Sequence, residues 1–288
     1  MPRHISLLAV LLVSVAAHAE PLRTNDIEYA SVDGKPLLLD LYLPSARSAA
    51  PPLLVWIHGG AWENGSKDQM PLSSLVDKGF AIASIDFRPA SVAPFPGQVH
   101  EIKAAIRYLR ASADRHGYDA TRIGILGASS GAHLAALVGT TNGHDTLEGK
   151  LGGNLGQSSD VQVIVSYFGA SNLTTILKQS TPFGLNVREP ALKRLLGGLP
   201  DEQSDLARLA STVSHVDSAD PPLLLLHGDQ DPQMPINQSH ELQGAYEAQG
   251  LKPEFVVVHG AAHGGDAFFD AKRLEHVAQF LQRHLTGS

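Results

Sequence analysis

Of the 288 residues, the five that most restrict the fold are Gly127-Ala128-Ser129-Ser130-Gly131, which read G-x-S-x-G. The apolar run Ile123-Gly124-Ile125-Leu126 precedes them and the helix-like His133-Leu134-Ala135-Ala136-Leu137-Val138 follows. A strand, a sharp turn and a helix in that order lift the central side chain above the carboxyl edge of a sheet. Glycine is required on both sides because a Cβ there would collide with the crossing strand and helix. Ser129 is therefore the candidate nucleophile. Ser130 is not central in the motif, and its backbone N–H is instead a candidate donor to a developing oxyanion. Because glycine and serine are common, the flanking strand and helix carry the inference, not the five letters.

The surrounding chain agrees with such a sheet. Ile27–Val32 and Leu37–Leu43, joined by Asp33-Gly34, read as a hairpin. From Leu53 onward short apolar runs alternate with amphipathic stretches, the pattern of an α/β fold with a mostly parallel central sheet flanked by helices on both faces. Strands are expected at Leu53–Ile57, Phe80–Ile85, Arg122–Leu126, Val161–Tyr167, Leu223–Leu226 and Phe255–Val258. Helices are expected near Met70–Lys78, Val99–His116, Ser130–Thr140, Ser239–Gln249 and Ala267–Leu285. In the second of these, Ile102, Ala105, Ile106 and Leu109 recur at helical spacing, which leaves Glu101, Lys103, Arg107 and Arg110 to face water. Residues 171–219, punctuated by Pro182, Pro190, Gly197-Gly198 and Pro200, read as an irregular excursion over the site, a lid or wall. The excursion holds too few apolar residues for its own core, so residues 20–288 are expected to form a single domain. Gly149–Gly156 is glycine-rich without following a strand and reads as a surface loop near the site.

Met1-Pro2-Arg3-His4, the apolar Ile5–Ala16 and Ala17-His18-Ala19 have the order of a secretory signal peptide, residues 1–19, with cleavage expected after Ala19. No later run is long and apolar enough to span a bilayer, so the mature chain is expected to be secreted or periplasmic. The formal net charge of −7 comes without a basic cluster, which argues against nucleic acid or an anionic membrane as partner. Cysteine is absent, which excludes disulfide staples, a cysteine nucleophile and thiolate metal sites. No metal-ligand spacing and no phosphate-loop motif appears, so no metal site is expected.

A serine nucleophile needs a base and an acid to orient that base, on neighbouring loops at the carboxyl edge of the sheet. Leu223–Leu226 runs into His227-Gly228-Asp229-Gln230-Asp231, a turn with two carboxylates. Asp231 is preferred, because Asp229 sits earlier in the tight turn, where aspartate bonds its own backbone. After the next strand comes His259-Gly260-Ala261-Ala262-His263-Gly264-Gly265. His263, in a small-residue loop able to approach Ser129, is the candidate base, whereas His259 ends a strand and is expected to be packed. The order Ser129, Asp231, His263 is that of an α/β-hydrolase triad. His58-Gly59-Gly60-Ala61-Trp62 follows the strand Leu53–Ile57, and its Gly60 and Ala61 N–H groups are the other candidate oxyanion donors. His58 is expected to brace that loop, and Trp62 to be a wall of the acyl or alcohol pocket, with a place in the core as the alternative. His133 and His227 are expected to be structural, and His100 and His144 to lie at surface or loop positions.

Together, the H-G-G-A-W stretch at 58–62 with Gly65-Ser66-Lys67, Asp86-Phe87-Arg88, Gly127–His133, His227–Pro235 and Gly260–Gly264 resemble the α/β-hydrolase esterases related to the bifunctional acetylxylan and feruloyl esterases. Hormone-sensitive-lipase-like esterases are wider relatives. The resemblance covers about residues 27–285 and implies hydrolysis of a small-molecule or polymer carboxylic ester by Ser129, Asp231 and His263 without a cofactor. Substrate varies within that group, so the resemblance names none; the expected export favours an extracellular ester, for instance acetyl or feruloyl groups of polysaccharide. Two departures stand out: Asp86-Phe87-Arg88 where the family often has D-Y-R, and Gly127-Ala128-Ser129-Ser130-Gly131-Ala132-His133 where it often has G-S-S-A-G-G-H. The same three side chains would also serve amide, peptide or polyester cleavage, and a chain with an inert triad would act as a binding module.

Overall fold

The computed structural model describes residues 21–46 and 49–286; the expected leader at 1–19 lies outside them. Eight strands make one sheet: β1 (Leu22–Val32), β2 (Lys35–Leu43), β3 (Pro52–Ile57), β4 (Ala81–Ile85), β5 (Asp119–Ala128), β6 (Val163–Tyr167), β7 (Leu223–Gly228) and β8 (Glu254–Val258). Their spatial order is β1-β2-β4-β3-β5-β6-β7-β8. The β1–β2 hairpin and the β2–β4 pair are antiparallel and all other neighbours are parallel. Asp33 and Gly34 both take positive φ, 51° and 74°, as a tight two-residue hairpin turn demands.

The helices are α1 (Ser73–Asp77), α2 (Gly97–Ala111), α3 (Ala113–His116), α4 (Ser130–Gly139), α5 (Asp145–Glu148), α6 (Ile176–Gln179), α7 (Pro182–Leu196), α8 (Ser204–Leu209), α9 (Asn237–Ala248) and α10 (Ala271–Leu285). Strand alternation divides the core between the two faces. In β3, Leu53, Val55 and Ile57 join a cluster with α2, α4 and α9, while Leu54 and Trp56 join one with α1 and α10. The sheet is therefore covered by helices on both sides, as the sequence pattern implies.

Two expectations need correction. Glu101, Lys103 and Arg107 do not face water; all three are buried. Lys103 Nζ donates to the Thr141 carbonyl at 2.7 Å and lies 3.2 Å from Glu148, Arg107 pairs with Glu148 and donates to the Leu151 carbonyl, and Glu101 accepts from Arg88. Arg110 is half-buried and caps the Ser158 and Asp160 carbonyls. The cover over α2 is α5 with the glycine-rich segment after it. Arg107 holds that segment at Leu151, and a Cβ on Gly149 would strike the His100 ring of α2. The loop at 149–156 is thus anchored on α2 at Gly149 and Leu151, and it is not part of the cleft that contains Ser129. His100 accordingly sits within α2 rather than on a loop.

The stretch at 171–219 is mostly helical. Pro182 opens α7 in its first turn, where its missing N–H costs nothing, and the Thr181 hydroxyl caps the helix by accepting from the Gly184 N–H at 3.0 Å. Gly197, with φ 77°, closes α7 in the left-handed conformation. Leu173, Ile176, Leu192, Leu195, Ala207 and Ala210 bury into the main cluster, so the excursion shares the core of the rest.

Candidate active site

Ser129 occupies the turn between β5 and α4 with φ 56° and ψ −121°, a conformation that a non-glycine residue keeps only under external constraint. Its N–H donates to the Tyr167 carbonyl of β6 at 2.9 Å. A Cβ on Gly127 would run into the Gly131 carbonyl, and one on Gly131 into the carbonyls of Ile57 and His58. Steric demand thus accounts for both glycines of the motif.

The loops after β7 and β8 bring the other two side chains to this turn. The Gln230 N–H donates to the Ala261 carbonyl at 3.0 Å, and Gly228 passes so close to Ala261 that a side chain there would clash with its carbonyl. His263 Nε2 lies 2.8 Å from Ser129 Oγ, and His263 Nδ1 lies 2.6 Å from Asp231 Oδ2. With Nδ1–H donating to the carboxylate, Nε2 is left to accept from the hydroxyl. Asp231 is buried, and its Oδ1 accepts from the Gln233 and Met234 N–H groups at 2.8 Å each. Burial alone would raise the Asp231 pKa. Hydrogen bonds from His227 and His263, together with the Met234 N–H, outweigh it and hold the carboxyl well below the usual carboxylate range. The Phe168 ring meets the His263 imidazole edge-on at 4.9 Å.

His58-Gly59-Gly60-Ala61 bends beside the serine. Gly60, Ala61 and Trp62 have successive positive φ values of 119°, 54° and 61°. Glu63 and Asn64 both donate to the Gly60 carbonyl, at 3.0 and 2.9 Å, which closes the bend. Among the described residues, the Gly60 and Ala61 N–H groups meet no acceptor. Ser130 is the first residue of α4, so its N–H has no acceptor one turn back. These are the three candidate oxyanion donors, all beside Ser129 in one cleft. His58 braces the bend: it is buried, its Nδ1–H donates to the Gly59 carbonyl at 2.8 Å, and its ring stacks on Phe87 at 4.3 Å. Lys67, just beyond, has its Nζ 2.9 Å from both Asp26 and Asp40, and its N–H donates to Asp86 at 2.6 Å. Those contacts tie the segment after the bend to the sheet edge.

Trp62 belongs both to the cleft lining and to the core, and is 1% exposed. Its indole N–H donates to His133 Nδ1 at 3.0 Å, and His133 Nε2–H donates to the Ala210 carbonyl at 2.7 Å. This relay links the 58–62 bend, the helix after Ser129 and the excursion. It requires a neutral imidazole, and burial pushes His133 down to about 4. His227 is likewise a structural histidine. Its Nδ1 accepts from the Ser239 hydroxyl at 2.7 Å and its Nε2–H reaches the Met234 carbonyl at 3.0 Å, with Asp231 3.4 Å away. His259, in contrast, is not packed; it is 84% exposed and pairs with Asp229 at 2.8 Å.

The cleft holds about 360 Å³ and is lined around Ser129 and His263 by Trp62, Phe168, Val187 and Arg188, with Asn64, Gln69 and Gln233 as polar points. Val187 and Arg188 come from α7, within residues 171–219. The sequence contains no signal for these two: helical periodicity in 182–196 is broken by Pro190, and neither residue stands in a motif.

Residues 39–246 match the family described as BD-FAE, over most of the chain. The chain belongs to this family. A solved structure titled as a truncated form of carbohydrate esterase from gut microbiota is similar to it, with TM-score 0.83 and 32% identity over 94% of this chain and 99% of that one. A bifunctional GH43-CE protein of Bacteroides eggerthii is similar at TM-score 0.83 and 37% identity, over 91% of this chain and 35% of that one. Esterase LipC of Mycobacterium tuberculosis is 28% identical over 240 residues, 82% of this chain and 58% of its own length. The chain spans about half the length of the curated relatives it matches. The eight-stranded sheet and these likenesses make this BD-FAE member an α/β-hydrolase of the esterase type.

Proposed function

We propose that the chain is an exported carboxylic-ester hydrolase that works through an acyl-enzyme on Ser129. The observation that carries the reading is the continuous hydrogen-bonded line from Ser129 Oγ through His263 to Asp231, at 2.8 and 2.6 Å. His263 Nε2 removes the hydroxyl proton as Oγ attacks the ester carbonyl, and the buried Asp231 carboxylate stabilises the resulting imidazolium. The carbonyl oxygen takes up negative charge against the Gly60, Ala61 and Ser130 N–H groups. The imidazolium then protonates the departing alcohol, the C–O bond breaks, and water repeats the sequence on the acyl-enzyme to release acid and free Ser129. Export rests on the residue pattern at 1–19, and cleavage after Ala19 is checked by N-terminal sequencing of the secreted product.

The substrates we infer are short acyl or aromatic esters, acetyl and feruloyl groups of polysaccharide among them. The likeness to a structure titled as a carbohydrate esterase supports this choice. So does a cleft of about 360 Å³ with Phe168 in its lining, a size suited to one small group. The test compares kcat/KM on p-nitrophenyl acetate, p-nitrophenyl decanoate and methyl ferulate. Acetate and ferulate esters should exceed the decanoate, and Ser129→Ala should abolish all three. Equal trace rates in both proteins would reject the assignment of Ser129.

A further inference from the structure

Arg188 stands in the cleft and has no part in the ester chemistry above. Its side chain reaches in from α7, and the residue is 4% exposed. Its Nη2–H donates to the Gln233 carbonyl, while Nε is buried with no hydrogen-bond partner among the described residues. No described carboxylate lies within ion-pair distance. Asp231, the acid that acts on it from farther off, is committed to His263 and His227. Burial pulls the guanidinium down to about 10, which leaves it charged at neutral pH. A buried cation is destabilising unless an anion and hydrogen bonds compensate it, and arginine is a poor choice for merely filling a wall. Its remaining N–H edge also has the planar geometry that matches a carboxylate.

We propose that Arg188 is a carboxylate-recognition residue, and that the esters this chain turns over best carry a free carboxylate in their acid or alcohol part. The proposal rests on the ester-hydrolase reading and narrows its substrate class. A neutral hydroxyl would satisfy a donor on Arg188 but not its charge. A carboxylate does both, and it enters with the substrate, so the stability cost of the buried cation becomes selectivity.

The experiment measures kcat/KM for two isosteric pairs on each preparation. Benzyl hydrogen succinate against benzyl succinamate places the charge in the acid, and 3-carboxybenzyl acetate against 3-carbamoylbenzyl acetate places it in the alcohol. In the wild type, the carboxylate should exceed its carboxamide by roughly tenfold or more in one of the pairs, the size expected of a charge-assisted contact. Arg188→Gln should bring that ratio to about one. Because both members of a pair are measured on one preparation, the ratio is independent of the folded fraction. Ratios near one in both pairs for the wild type, or a ratio that survives Arg188→Gln, would overturn the proposal. Turnover of p-nitrophenyl acetate separates the two layers: without it the hydrolase reading falls and takes this proposal with it. With it, but without carboxylate preference, only the role of Arg188 falls.

Discussion

The loops after β7 and β8 carry two aspartate–histidine pairs, Asp229 with His259 and Asp231 with His263, at 2.8 and 2.6 Å. By residue type and distance the pairs are nearly the same. They differ in surroundings: the side chains of the first are 30% and 84% exposed, and those of the second 0% and 12%. Water competes for every bond of the outer pair and screens its charges, so it ties the two loops together only weakly, even with the Gly260 N–H on Asp229 at 2.7 Å. The inner pair is shielded, carries three further hydrogen bonds or near contacts on its carboxylate, and ends on a hydroxyl. What separates a candidate catalytic pair from a surface one is therefore the third partner and the exclusion of water.

The sharpest way to break the comparison is to neutralise each acid in turn. Asp231→Asn leaves the shape of the inner pair but lets His263 adopt the wrong tautomer, and kcat on p-nitrophenyl acetate should fall by about 10⁴. A drop of less than tenfold would place the acid elsewhere. Gly60→Ala tests the donors that complete the inner site. A Cβ at φ 119° would collide with the Asn64 backbone and displace the bend, so kcat should fall on the order of 10² with a much smaller change in KM.

The shielding itself has a pH signature, read best at His133. Above about pH 6.5 this imidazole is neutral whether the chain is folded or not. As pH falls below that, the unfolded chain takes up a proton that the folded chain refuses until about pH 4. Stability should therefore decline by about 1.4 kcal/mol per pH unit across that window from this group alone. His133→Gln keeps an acceptor for Trp62 and a donor for Ala210 without titrating. Urea midpoints between pH 7 and 4.5 should fall less steeply in this variant than in the wild type, and parallel slopes would refute the assignment. The smallest effect belongs to the outer pair: Asp229→Asn and His259→Gln should each leave kcat/KM within about twofold and the melting temperature unchanged. A large loss in either would mean that exposure does not distinguish the two pairs.

Much of the frame was legible without coordinates. The strand, turn and helix around Ser129, the hairpin at Asp33-Gly34 and the order of loops bearing Asp231 and His263 rest on glycine sterics and short-range periodicity, which act within a few residues. The preference for Asp231 over Asp229 came from turn position, and the fold places Asp231 on His263. His259 is exposed and not packed, because the end of β8 in sequence does not say whether anything covers it. Pro182 reads in sequence as a break and is a helix start, because only the cap at Thr181 distinguishes the two.

What the sequence by itself determined is an α/β chain with a serine turn, an acid loop and a histidine loop in hydrolase order. Only the tertiary structure decided that Glu101, Lys103 and Arg107 are buried beneath α5 and the loop after it. It alone put the Trp62 indole on His133, and Arg188 of α7 in the cleft that holds Ser129. Each of these outcomes depends on a segment tens of residues away arriving to cover, pair or expose the side chain. Local propensity holds no record of that arrival, because burial and charge compensation are properties of the packed chain.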